Sequence, residues 1–278
     1  MSRFASCVVG ERRFAALVEG DVVRPLAGIE ELGAATPLEV LASPPVSDET
    51  IPLADVTLRP VIPRPGKILC VGLNYRAHVE EGVYEVPDYP VLFPKFADAL
   101  VGPGEPVLVP PESEAVDYEG EMALVIGRTV RRVSGDEALA AVAGYTVAND
   151  VTMRDYQYKT HQWLVGKTWA SSTPLGPYLV TPDEVGDPHA LDISLTLNGE
   201  TMQSSNTSRF IFDIPTLIGT ISEFIPLNPG DVVLTGTPEG VGYRRDPKVL
   251  LRDGDAMVVE VENVGRLESP VSAERQPR

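Results

Sequence analysis

In Glu119-Gly120-Glu121-Met122-Ala123-Leu124-Val125-Ile126, two glutamates two residues apart lead straight into an unbroken apolar run, a pattern few architectures accommodate. On a strand, residues two apart face the same side, so Glu119, Glu121, Ala123 and Val125 share one face and Met122, Leu124 and Ile126 the other. Both faces turn apolar, so the strand enters a core and its glutamates sit at the mouth. Adjacent, partly buried carboxylates repel and lose hydration, and something has to neutralise them. A hard divalent cation does this, because Mg2+, Mn2+ and Ca2+ all take carboxylate oxygen. Alone, the Glu-x-Glu pattern reads first as a solvated acidic strand end. Asp150 changes that weighting. It ends a second apolar strand, Thr146-Val147-Ala148-Asn149, and is followed by Arg154 and Gln157. An aspartate at a strand end, with a planar cation about one turn on, suits a site for an anionic oxygen substrate.

A candidate base stands apart from these acids. Of the three histidines, His189 in Asp187-Pro188-His189 reads as a surface turn residue, and His161 lies in a polar stretch that faces either substrate or solvent. His78 follows an apolar strand, with Glu81 three residues on. If residues 75–82 are helical, the two share a face, and the carboxylate fixes the imidazole tautomer and raises its basicity. An ordinary surface pair is the plainer reading of those two residues alone. Gly82 gives the helix a stop and lets it move as a lid. Lys167, in Val165-Gly166-Lys167, and the turn Thr235-Gly236-Thr237-Pro238-Glu239-Gly240 after an apolar strand complete the candidate features. Glycine-rich turns let backbone N–H groups approach a ligand. No Walker, Rossmann, GxSxG or HExxH pattern occurs, which removes nucleotide-binding, serine-hydrolase and zincin readings.

The 26 prolines and 24 glycines in 278 residues favour a turn-rich, mixed but β-dominated (α+β) fold. Strands are expected at 122–126, 231–234 and 193–197, the last meeting an Asn198-Gly199 type I′ turn, and an alternating run at 258–267 after Asp253-Gly254. Ser134 with Glu137 forms a capping-box pattern opening a helix over 138–143. Asp213 caps another, with Pro215 in its first turn and Leu217, Ile218, Ile221 and Phe224 on one face. Residues 14–23 read as a hairpin turning at Gly20-Asp21, with a short helix near 37–42. Pro60, Pro63, Pro65 and Gly66 then place a boundary between a small N-terminal α/β domain, 1–62, and a catalytic domain, 63–278. A net charge of −17 argues against nucleic acid or an anionic membrane as partner. Two cysteines without a CxxC, no signal-peptide pattern and no apolar stretch near 20 residues point to a cytoplasmic protein, with Cys70 a small core residue.

Taken together, these segments resemble the fumarylacetoacetate hydrolase family. The matching stretches run in the family's order: 70–78, 116–127, 144–157, Gly166-Lys167, 174–177, Asn198-Gly199-Glu200, Met202-Gln203, Asn206-Thr207 and 229–241. They cover about residues 65–270. The resemblance implies a β-sandwich roll catalytic domain behind a small N-terminal domain, usually as a homodimer. By motif match, Glu119, Glu121 and Asp150 resemble the metal ligands, for Mg2+ or Mn2+ with Ca2+ an alternative, and His78 with Glu81 the catalytic dyad on a mobile helix. Arg154, Gln157 and Lys167 match residues that grip a keto acid, Thr237 lies in the closing loop, and Lys95 matches a further position near the substrate. Animal fumarylacetoacetases carry an extra acidic ligand just before the catalytic histidine. None lies between Val71 and His78 here, so the chain resembles the shorter bacterial branch of acylpyruvases, fumarylpyruvate hydrolases and 2-hydroxyhepta-2,4-diene-1,7-dioate isomerases.

The expected reaction is hydrolysis of a carbon–carbon bond in a 2,4-diketo acid, an acylpyruvate such as fumarylpyruvate. A metal acts as Lewis acid on the keto-acid end, His78 deprotonates water, and Lys167 with Gln157 stabilises the oxyanion. The same residues also serve oxaloacetate-type decarboxylation or 5-carboxymethyl-2-hydroxymuconate-type isomerisation. A non-catalytic ligand-binding relative is the distant alternative. Residues 81–90 and 156–163 are the expected determinants of which acyl group is accepted.

Overall fold

The computed structural model describes residues 2–82 and 84–275; Met1, Val83, Gln276, Pro277 and Arg278, which fall within the expected domains and the 81–90 segment, lie outside it. The strand Gly120–Ile126 is buried at every residue, as two apolar faces require. It pairs antiparallel with Val142–Asn149 on one side (Gly120 opposite Asn149, Ala123 opposite Thr146) and with Val232–Leu234 on the other. Val232–Leu234 runs parallel to Ile68–Gly72, which pairs with Val91–Lys95. Val142–Asn149 pairs next with Thr173–Val180, whose far edge takes up Arg3–Val9 through Arg3 opposite Val180. The N-terminal strands Arg12–Glu19 and Val22–Pro25 then extend the same twelve-stranded sheet, with Val18 opposite Val23 across the expected hairpin.

A second sheet of five strands runs Glu200–Asn206, Asp192–Leu197, Ala256–Val261, Gly265–Ala273 and Val107–Val109. The two faces of Gly120–Ile126 bury into different cores, as the alternation requires. Met122, Leu124 and Ile126 pack in a cluster with Leu195, Val259 and Leu267 of the second sheet and with Ile218 and Ile221. Ala123 and Val125 join a cluster with Cys70, Phe93 and Leu234, to which Phe4, Leu26 and Leu32 of the N-terminal segment contribute. The proline-punctuated stretch is pinned to the sheet, since the Val61 N–H donates to the Leu175 carbonyl at 3.0 Å.

Three expectations about local structure are corrected. The helix expected over 138–143 is Gly135–Leu139, and the Ser134 side chain makes no capping bond. Val142–Asn149 is already strand, because sheet pairing with Gly120–Ile126 outweighs the helix propensity of its alanines. The alternating run 258–267 is two strands, Ala256–Val261 and Gly265–Ala273; alternation continues through a tight reversal, and Asn263 takes a φ of 58° there. In Ile214–Phe224, Asp213 accepts from the Thr216 N–H as expected, and Leu217, Ile218 and Ile221 are buried, but Phe224 is 55% exposed. The next residue, Ile225, leaves the helix and packs on the core in its place. The expected short helix is Leu38–Ala42, and Asn198 and Gly199 both take positive φ, as a type I′ turn needs. Among the described residues no helix is long and apolar enough to cross a membrane.

Leu217→Ala should lower unfolding free energy by about 2–5 kcal/mol in a denaturant titration, while Phe224→Ser should change it by less than about 0.5 kcal/mol. Equal losses at the two positions would contradict this burial pattern.

Candidate active site

The end of Gly120–Ile126, the end of Val142–Asn149 and the turn after Val232–Leu234 meet at one place. Glu119, Glu121 and Asp150 are all buried there, with ligand oxygens within 4.8 Å of one another. The backbone fixes them closely. The Asp150 N–H donates to the Glu119 carbonyl at 2.8 Å, and the Glu119 N–H donates to Asn149 Oδ1 at 2.9 Å. Gln203, on the second sheet, accepts from the Gly120 N–H at 2.9 Å and donates to Thr237 Oγ1 and the Pro238 carbonyl, each at 2.8 Å. Thr237 Oγ1 donates to the Gly120 carbonyl at 3.0 Å, so its hydroxyl joins strand and turn.

That turn also orients carboxylates through its backbone. Gly236 N–H donates to Glu121 Oε2 at 2.7 Å, Gly240 N–H to Glu81 Oε1 at 2.9 Å, and Gly242 N–H to Asp117 Oδ1 at 2.8 Å. Gly240 sits at φ +99°, and a Cβ there would lie 2.2 Å from the Met202 carbonyl oxygen, so only glycine lets the amide reach Glu81. The expected helix is Arg76–Glu81; His78 Nδ1 lies 3.1 Å from Glu81 Oε2, and His78 is 8% exposed. The two ends of the Glu81 carboxylate thus hold the imidazole and the turn together.

Three buried cations balance part of the acidic charge. Lys167 Nζ lies 2.6 Å from Glu119 Oε2 and 2.7 Å from Asp150 Oδ2, and Lys95 Nζ lies 2.5 Å from Asp150 Oδ1. Arg154 donates through Nε to Asp117 Oδ2 at 2.8 Å and through Nη1 to Gln157 Oε1 at 3.0 Å, with Nη2 2.7 Å from Glu119 Oε1. Four carboxylates, Asp117, Glu119, Glu121 and Asp150, therefore face three cations, and among the described residues Glu121 has no ion pair. Burial pushes the Glu121 carboxyl well above its ordinary range, and Asp150 and Glu119 push it further. Burial also acts to raise Glu119, but Lys167 and Arg154 outweigh it and hold that carboxyl at about 2. A carboxyl without a cation of its own, beside two more hard oxygen donors, fits a hard divalent ion that displaces its proton.

These groups open into one cleft walled by His78, Glu119, Glu121, Arg154, Gln157 and Lys167. Lys95 lies behind Asp150, its ammonium directed at that carboxylate and at the Val151 carbonyl. His161 is exposed, and the two expected specificity segments contribute Tyr84, Gln157, Tyr158 and Trp163 to the cleft. His189 is more than a turn residue: its Nε2 accepts from the Ile214 N–H at 3.1 Å, at the start of Ile214–Phe224.

Sequence reasoning passed over Asp117, Arg244 and Tyr243. Asp117 is wholly buried and ties Arg154 to the amides of Gly242 and Tyr243. Its signal was present, since Asp117 continues the alternation of Glu119 and Glu121 backwards. Arg244 and Tyr243 reach the cleft only through the path of the turn, which leaves no local pattern.

A mixed-sheet, β-rich fold here gathers at one cleft a histidine–glutamate pair and three carboxylates whose oxygens could hold a divalent ion. Residues 67–272 match the family model for the Fumarylacetoacetate (FAA) hydrolase C-terminal domain, and the chain belongs to the fumarylacetoacetate hydrolase family. It is 48% identical over 216 residues to the mitochondrial oxaloacetate tautomerase Fahd2a of Rattus norvegicus, covering 77% of this chain and 69% of that protein. Among solved structures, 2-hydroxyhepta-2,4-diene-1,7-dioate isomerase from Mycobacterium marinum superposes with a TM-score of 0.84 at 32% identity, over 99% of this chain and 100% of that one. A 5-carboxymethyl-2-hydroxymuconate delta-isomerase from Mycobacterium smegmatis gives a TM-score of 0.84 at 35% identity, over 98% and 100%.

Removing Asp117 leaves a buried guanidinium short of a counter-ion. Asp117→Ala should cost about 3–5 kcal/mol of unfolding free energy, read by chemical denaturation at neutral pH. A change below about 1 kcal/mol would show that Asp117 does not anchor Arg154.

Proposed function

We propose that the protein moves a proton between C3 and the 2-oxo oxygen of a small 2-oxo acid, the keto–enol interconversion of an oxaloacetate-type substrate. The observation that carries this reading is the His78–Glu81 pair, held at 3.1 Å beside three clustered carboxylates. A divalent ion, Mg2+ or Mn2+, would be held by Glu119, Glu121 and Asp150, and when bound it supplies Lewis acidity to the substrate's carboxylate and 2-oxo oxygens. Glu81 occupies the Nδ1 side of His78, so Nε2 is the atom free to work in the cleft. Nε2 takes the proton from C3 as the C2–C3 double bond forms, and the proton is returned to the oxygen on C2; the reverse order gives the keto form. Lys167 and Gln157 lie on the cleft wall as donors toward the oxygen on which negative charge develops. Arg154, fixed by Asp117 and Gln157, adds a positive charge behind them.

Hydrolysis of an acylpyruvate would use the same base on a water instead of on C3. The tautomerase and isomerase names of the relatives favour proton transfer over that reaction. A panel assay with Mg2+ or Mn2+ separates them. Enol oxaloacetate should lose its ultraviolet absorbance faster with enzyme than without, and release of pyruvate from acylpyruvates should be slower than that interconversion. Faster pyruvate release from an acylpyruvate would put hydrolysis first. His78→Ala should lower turnover roughly 10^2–10^4-fold, and turnover unchanged in that variant would sink the assignment of the base.

The raised Glu121 carboxyl makes a separate prediction about the metal. In the folded, metal-free protein Glu121 keeps its proton above the pH at which the unfolded chain loses it. It therefore lowers stability as pH rises above the ordinary carboxylate range, and this loss is absent at lower pH. Glu121→Gln should raise the melting temperature of the chelator-treated protein at pH 7. Mn2+ at about 100 times its Kd should stabilise the wild type by about 2.7 kcal/mol, and the variant by far less. Equal Mn2+ stabilisation of both proteins would exclude Glu121 as a ligand.

A further inference from the structure

The basic residues of the cleft fall into two groups. Lys167 and Arg154, on its wall, and Lys95, behind it, are each ion-paired to buried carboxylates. Arg244 also lines the cleft, is half-buried, and among the described residues has no ion pair. Its partners are neutral. Nη2 donates to the Tyr84 hydroxyl at 2.8 Å, and the guanidinium lies 5.3 Å from the centroid of the Tyr84 ring. The Tyr84 and Tyr158 hydroxyls are 3.2 Å apart, and the Tyr158 ring leans on Tyr243 at 5.9 Å. The carboxylates and Lys167 are buried at one end of the cleft, whereas Tyr158 is 43% exposed and Tyr84, Tyr243 and Arg244 are half-buried, so these four mark its solvent end.

We propose that Arg244, with the Tyr84–Tyr158 hydroxyl pair, is the group that binds the distal carboxylate of the oxaloacetate-type substrate and so sets the preference for dicarboxylic over monocarboxylic 2-oxo acids. The proposal rests on the 2-oxo-acid reading of the buried end and adds the chemistry of the other. A half-buried guanidinium without a counter-ion is a poor neighbour for an apolar acyl tail, which would strip its water and give nothing back. A carboxylate matches the guanidinium fork and accepts from a phenol, and such charge-assisted bonds are among the stronger ones available. The contact also reaches the base. The Tyr84 N–H donates to the Val79 carbonyl and the Gly82 N–H to the His78 carbonyl, each at 3.0 Å, so an anion held at Arg244 and Tyr84 steadies the end of the helix that carries His78. Binding energy from the non-reacting end then serves the reacting one.

The test compares ligands that differ only in the distal carboxylate, bound to the Mn2+-loaded protein and followed by calorimetry: oxaloacetate against 2-oxobutyrate, and 2-oxoglutarate against 2-oxopentanoate. Wild-type protein should bind a dicarboxylate of at least one pair roughly 10–100-fold more tightly than its monocarboxylate. Arg244→Gln should remove that preference, Arg244→Lys should keep part of it, and both should leave monocarboxylate affinity within about twofold. Mn2+-induced stabilisation equal to wild type shows that the variants are folded. A preference undiminished in Arg244→Gln overturns the proposal, as does equal weakening of both ligands of a pair. Arg244-dependent binding without turnover of any 2-oxo acid would refute only the proton-transfer reading, whereas turnover with an unchanged preference in Arg244→Gln would refute only the role of Arg244.

Discussion

Four carboxylates and three cations sit together, buried at one end of the cleft, and much of the rest of the molecule keeps that arrangement in place. Desolvation raises the energy of every ion in such a cluster, and removing any one partner strands another. Glu121 is where the balance is left open: among the described residues it has one backbone amide and no cation. Everything around it is fixed by bonds that a small shift would break. Asn149 and Gln203 hold the backbone on either side of Glu119 and Gly120, and the turn after Val232–Leu234 donates amides to Glu121, Glu81 and Asp117. The carboxylates are therefore held in place by fixed bonds, which is the preorganisation the proposed Lewis-acid site needs.

The scaffold achieves this by making one strand serve two cores. Gly120–Ile126 buries Met122, Leu124 and Ile126 against the second sheet and Ala123 and Val125 against the first sheet's other face. A one-residue slip would exchange the two sets and carry the glutamates away from Asp150, so packing and the site hold the same register. The cleft then has two chemically different ends. The buried end is built from charges that neutralise one another, and the solvent end offers Arg244 among tyrosines. The relatives carry tautomerase and isomerase names on one fold, and the proposed roles divide the same way, proton transfer at the buried end and substrate selection at the solvent end.

Much of the site was legible because its residues are local. Period-two alternation placed Glu119 and Glu121 on one face, Asp150 ended an apolar strand, and His78 and Glu81 were three apart on a short helix. The Asn198-Gly199 turn was equally plain, since both residues need positive φ. Errors came where local pattern met a tertiary competitor. The alanines at 138–143 favour helix, but strand pairing takes the chain from Val142 onward. The alternation at 258–267 runs through a reversal that periodicity cannot see. Phe224 fits the helical face by spacing, but the chain leaves the helix at Ile225 and that residue, partly buried, packs on the core instead.

Residue types and short-range spacing by themselves determined that the strand after Glu121 is buried, that Glu119 and Glu121 share one face of it, and that His78 and Glu81 share one face of a short helix. Those properties follow from helix and strand geometry acting over a few residues. Only the tertiary structure decided that Lys167 bridges Glu119 and Asp150 from 48 and 17 residues away, that Asp117 joins Arg154 to the amide of Gly242 across 125 residues, and that Arg244 meets the Tyr84 hydroxyl, and no acid among the described residues, at the solvent end of the cleft. Such pairings depend on which chain segments meet when the two sheets close, and the charge a buried group has to satisfy is set by those neighbours rather than by its own segment.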